Sequence, residues 1–138
     1  MDKNFVAAWS LSFSDLEFVH GYRHAMRVGL AAQLLHFRSH GYFLTSLDEM
    51  PSDAIEYVAD QVGENMVSAP KYDISSDTSR RHRLDILRFL GVRRATDRDR
   101  AALRIKLTSR VAHLGATSED LVVHGYQWAL RNSVFVPS

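Results

Sequence analysis

Residues 26–41 read MRVGLAAQLLHFRSHG. Val28, Ala31, Ala32 and Leu35 fall at the three- and four-residue steps that line up apolar side chains on one face of a helix. The spacing predicts a long helix from about Arg23 to Phe37, with a break before it at His20-Gly21-Tyr22 and a turn after it over Gly41 to Leu44. Upstream, Ser14 and Glu17 have capping-box spacing, which opens a short helix from Ser14 to about Val19. Downstream, Pro51 suits a first helical position, and Ile55, Val58, Ala59 and Val62 make an apolar stripe that stops at Gly63. Residues 64–78, with Pro70, Asp73, Ser75, Ser76 and Asp77, read as the longest loop. A helix from about Ser79 to Leu90 then ends at Gly91. Thr96 with Asp99 caps a helix running to about His113, and Thr117 with Asp120 caps a last one through Trp128 to about Arg131. Strand candidates are confined to 42–45 and 134–136. The expectation is an all-α fold, a compact bundle of about six helices with helix-turn-helix-like pairs.

The 138 residues suit a single domain, with 46% hydrophobic and 24% charged residues, as in an ordinary soluble protein. They fit either one unit or two small helical subdomains, 1–70 and 71–138. No stretch reaches membrane-spanning length, no signal peptide opens the chain, and there is no cysteine, so a cytoplasmic location without a membrane partner is expected. The net charge of +1 conceals an asymmetry. Residues 1–70 carry 4 Lys/Arg against 9 Asp/Glu, whereas residues 71–138 carry 13 against 7. Between 80 and 110 there are 11 basic residues, ten of them Arg, against Asp85, Asp97 and Asp99. The guanidinium fork matches phosphate oxygens and guanine edges. A solvated helix face is the plainer reading of such a run.

Two places have a helix-turn-helix layout. In the first, Gly21 separates the helix at 14–20 from the helix at 23–37, whose first turns bring Arg23, His24 and Arg27 toward a ligand. In the second, the 79–90 and 97–113 helices flank Gly91 to Ala95. Leu84 and Leu87 are expected to face the core there, with Leu90 or Ile86 to the side, leaving Arg80, Arg81, Arg83 and Arg88 outside with Arg93 and Arg94 in the turn. In the later helix Leu103, Leu107, Val111 and Leu114 form a stripe expected to be buried. Arg110 lies close to it, either snorkelling past the core edge or pairing with an acid of the N-terminal half. His20/His24 and His36/His40 have the four-residue spacing of zinc ligands but lack the glutamate of a zinc-protease helix, and no metal or cofactor is expected. No nucleophile elbow or glycine-rich phosphate loop is present, so no catalytic residue is assigned. Trp9, Phe13, Tyr57, Phe89 and Trp128 read as core, not as a base-stacking platform.

Three blocks carry a family resemblance. Arg27, Gly29, Ala32-Gln33-Leu34, Arg38 and Gly41 form the first. Pro51 followed by AIEYVADQVG forms the second, and Arg80, His82, Ile86, Leu90, Gly91 and Arg93 the third. In this order they resemble the N-terminal region of the Tn-three-family transposases of replicative transposons. The resemblance implies a non-enzymatic domain that binds duplex DNA at the transposon's terminal inverted repeats. The ribonuclease-H-like catalytic core would lie in the remainder of a longer transposase chain, its partner. It implies DNA contacts from Arg23, His24, Arg27, Arg38, Arg80, Arg81, Arg83, Arg93 and Arg94. His82 reads as a core-edge hydrogen bonder. The alternatives are a protein-interaction module docking through the acidic N-terminal half, and a free-standing helix-turn-helix regulator.

Overall fold

Val28 to Phe37 is buried without interruption in the computed structural model, which describes residues 3–65 and 72–137. A helix buried all round must be enclosed by others. The elements are α1 (Lys3–Trp9), α2 (Phe13–His20), α3 (His24–His40), a short 3-10 turn (Leu47–Glu49), α4 (Ser52–Val62), α5 (Asp77–Leu90), β1 (Arg93–Arg94), α6 (Asp97–Leu114), α7 (Ser118–Arg131) and β2 (Val134–Phe135). α1, α2, α4, α5 and α7 all pack on α3. The fold is therefore all-α, and Tyr72, Ile74 and Ile86 share one apolar cluster with Val28, Leu30, Leu34 and Val58. No helix among the described residues is long and apolar enough to cross a membrane.

Caps set most helix ends. Thr96 with Asp99 and Thr117 with Asp120 form the expected capping boxes. The box of α2 is Ser12 with Asp15, two residues earlier than Ser14 with Glu17. α5 likewise starts early, on Ser76, and Pro51 is the N-cap of α4 instead of its first residue. α3 runs on to His40 and closes on Gly41 at φ 84. A side chain there would meet the Tyr126 carbonyl at 2.9 Å, so Gly41 also lets α7 approach. Of the loop expected over 64–78, residues 66–71 (Pro70 among them) lie outside the described residues, and 77–78 already belong to α5.

The C-terminal part departs further from expectation. Residues 42–45 form no strand; β2 pairs in parallel with β1, Arg93 opposite Val134 and Arg94 opposite Phe135. α6 packs mainly on α7, and none of its residues is buried. Leu103 and Leu107 are half-buried, but Val111 and Leu114 are exposed. The stripe is present, and nothing lies over its far half. Phe13 is exposed too, while Trp9 is buried.

Candidate nucleic-acid interface

Several of the residues behind the family resemblance converge inside the molecule, whereas Arg80 and Arg93 stay at its surface. Arg27 donates from Nε to the Tyr22 carbonyl at 3.0 Å, from Nη2 to the His20 carbonyl at 3.1 Å and from Nη1 to Glu64 at 3.5 Å. His20 closes α2, where helix acceptors lack intrahelical partners, and Tyr22 lies in the link to α3. Arg27 thus fastens the α2–α3 corner, with its side chain 16% exposed. Gly29 accommodates the Tyr72 ring, which a Cβ would overlap. Gln33 donates to the Tyr72 hydroxyl at 2.7 Å and to Ser79 at 3.1 Å. That hydroxyl lies 2.7 Å from Nδ1 of His82. The contact joins a hydroxyl that can donate or accept to an imidazole nitrogen whose role follows its tautomer. Burial pushes the His82 pKa down, with Arg81 adding to the effect and Asp85 opposing it. The expectation of His82 as a core-edge hydrogen bonder holds. Arg38 pairs with Asp15 at 2.9 Å. Burial alone would raise the Asp15 carboxyl, but the hydrogen bonds from Arg38 and Ser12 outweigh it and hold the pKa below the usual value.

The first helix-turn-helix layout therefore presents little of its second helix. Enclosed α3 cannot lay a side in a groove; its first turn leaves Arg23 and His24 outside. His24 approaches Glu64 at 2.5 Å, so a carboxylate already sits beside that helix N-terminus. Arg83 turns inward as well, donating to the Ile74 carbonyl at 2.9 Å and Ser79 at 3.1 Å. The outward place beside it is taken by Leu84, 51% exposed, contrary to its expected core position. Leu87 faces the interior as expected, with Ile86, Ser79 and His82 beside it.

Of the other expected contacts, Arg80, Arg81, Arg93 and Arg94 are exposed, on or just after α5. α6 extends the basic surface with Arg98, Arg100, Arg104 and Lys106, residues the sequence reading counted but did not assign to a site. Their helical spacing, with Arg100 and Arg104 four apart, was the available signal. Nearby acids neutralise little of it. Arg80–Asp77, Arg88–Asp85 and Arg100–Asp97 are i,i+3 pairs at 3.6, 3.8 and 3.9 Å, and exposed pairs of this kind contribute little. Asp99 is more committed: both its oxygens take Arg93, at 2.5 and 2.8 Å, while it caps α6. Arg93 and the Thr96 backbone hold its pKa far below the carboxylate range. Successive strand residues point to opposite sides, so Arg94 faces away from that pair. Arg94, Arg98, Arg104 and Lys106 have no carboxylate within ion-pair distance among the described residues.

The histidine pairs are used locally. His20 contacts the Val62 carbonyl, His36 the Tyr42 carbonyl and His40 the His36 carbonyl. Arg110 donates to Nε2 of His124 at 2.8 Å, across the α6–α7 contact, and not to an acid.

A family model described as "Domain of unknown function (DUF4158)" matches residues 2–138, and the chain belongs to that family. No curated protein and no solved structure matches it.

Proposed function

We propose that this member of the family binds duplex DNA, and that its target is the terminal inverted repeat of a replicative transposon. The observation that carries the reading is the run of exposed, largely unneutralised guanidinium groups along α5, β1 and α6. Phosphate contacts from Arg80, Arg81, Arg94, Arg98 and Arg104 would supply affinity, and a few side chains at base edges the sequence preference. Arg23, beyond the acidic Glu64, would extend the contact to the α2–α3 corner. Arg27, Arg38 and Arg83 would support the surface from within. The inverted repeat as target, and a transposase chain that performs the chemistry elsewhere, rest on the resemblance in the Arg27–Gly41 and Arg80–Arg93 blocks.

Fluorescence anisotropy on an inverted repeat and on shuffled DNA, across a salt series, tests the reading. Binding to both is expected, tighter to the repeat, with affinity falling steeply as salt displaces the phosphate contacts. The chain is expected to leave DNA uncut with or without magnesium. Absence of binding at low salt would sink the DNA reading, and metal-dependent nicking would sink the non-enzymatic one. A protein-interaction role is the second reading. What favours it is an uncovered apolar face on α6 and α7, not the acidic half of the chain.

A further inference from the structure

α6 and α7 pack on each other yet leave much of their apolar surface in water. Val111, Leu114, Val122 and Val123 are 48, 67, 57 and 53% exposed, and eighteen-residue α6 buries none of its side chains. Between the helices runs a hollow of about 270 Å³ lined by Leu103, Leu107, Leu121, Val122, Gly125 and Tyr126. A second hollow of about 380 Å³ shares Leu103, Leu107 and Leu121, extends to Val111, and is bordered by Arg100 and Arg104. Together they form a furrow with an apolar floor and a basic edge. Concentrated apolar exposure of this kind marks a binding surface.

Charge selects the occupant. α6 carries Arg98, Arg100, Arg104, Lys106 and Arg110; its acids, Asp97 and Asp99, both lie in the first turn, and Asp99 is held by Arg93. α7 adds Glu119 and Asp120, both in its first turn and so at the loop end of the hairpin. The edge bordering the furrow is formed by Arg100 and Arg104; a second copy is an outcome of the test below. A DNA backbone would satisfy the rim but leave the leucine floor empty. A helix with apolar residues at i, i+3, i+4 and i+7 and carboxylates on either side satisfies both, by the helix-in-groove mode. We propose that the α6–α7 furrow docks an acidic amphipathic helix of a partner protein.

The test is a display selection with 18-residue helical peptides, the length of α6, followed by anisotropy on the intact domain. Enriched peptides should share helically spaced Leu, Ile or Phe flanked by Asp or Glu. A Cβ at Gly125 would lie 3.9 Å from Leu107, so Gly125→Leu should fill the furrow without unfolding the hairpin. It should weaken the selected peptide by roughly tenfold or more, with DNA affinity and circular dichroism unchanged. Paired Arg100→Glu and Arg104→Glu should reverse the preference, favouring the same peptide with Lys in place of its acids. The proposal fails if no such pattern is enriched, or if the Lys peptide binds the unaltered domain equally well. It also fails if Gly125→Leu abolishes a concentration-dependent dimer, which would assign the furrow to a second copy. A loss of inverted-repeat binding in that variant would assign it to nucleic acid.

Discussion

Arg27 shows how a residue type can be right for a function while its geometry serves another. Its fork meets two carbonyls of the α2–α3 corner and Glu64 at once, an arrangement a lysine cannot reproduce. Hydrogen bonds from a charged donor contribute roughly 1.5–3 kcal/mol each at most, and less where water reaches them. Arg27→Ala should therefore cost about 2–3 kcal/mol in denaturant unfolding, while the affinity ratio of inverted repeat to shuffled DNA stays constant. A selective loss on the repeat at unchanged stability would return Arg27 to a base edge. The same interior carries a pH dependence. His82 and His36 both have pKa values lowered from 6.5, by burial first. The unfolded chain then takes up protons at a higher pH than the folded one. Stability is complete above 6.5 and is lost as the pH falls through the lower folded values. Urea titrations from pH 8 to 5 should show this decline. His82→Gln, which leaves Tyr72 an acceptor but cannot titrate, should make it shallower; an equal slope would remove His82 from the account.

At the level of elements, what was legible in the chain was local, and what was not depended on neighbours. α3 was legible as a helix because its apolar residues recur at helical steps, which announce one buried face and not the enclosure observed, and the α6 and α7 caps because a capping box is complete within four residues. For α2 the structure forms Ser12 with Asp15, where the sequence pointed to Ser14 with Glu17. Arg38, twenty-three residues away, favours the first by engaging Asp15, and no local pattern contains that contact. No helix was expected over Lys3–Trp9, where α1 forms. The stripe on α6 was real, but amphipathicity reports which face is apolar, not whether anything covers it. The basic run was equally visible, yet spacing could not say that Arg83 turns inward and Leu84 outward. In β1 the two neighbours are now distinguishable. Arg94→Ala should lower the log–log salt slope of DNA binding by about 0.9, the loss of one phosphate contact, with an unchanged melting temperature. Arg93→Ala should also lower the melting temperature, because Asp99 loses its cation at the start of α6. Identical thermal behaviour of the two variants would contradict the Arg93–Asp99 assignment.

Across the whole molecule the packing is graded, and stability should be graded with it. Backbone opening is hardest where many buried side chains must separate and easiest where few do. α3 sits at one extreme, with ten consecutive buried residues touched by five helices. α6 sits at the other, held by half-buried Leu103 and Leu107, the Arg110–His124 hydrogen bond and its capping box. α7 lies between: its C-terminal part is anchored, with Ala129 fully buried and Gly41 against Tyr126 and Leu130, while its first turns face the furrow. Hydrogen exchange under native conditions should resolve three tiers. α3 amides should exchange only through global unfolding, the later turns of α7 next, and α6 together with the start of α7 fastest of the long helices. Denaturant should sharpen the distinction, since local opening of α6 exposes little surface and its exchange should respond weakly, whereas α3 should show the full global dependence. A ligand seated in the furrow should slow α6 and the first turns of α7 and leave α3 unaffected. Protection of α6 equal to that of α3 in the isolated chain would mean that the hairpin is not the separable, partly covered unit its packing describes.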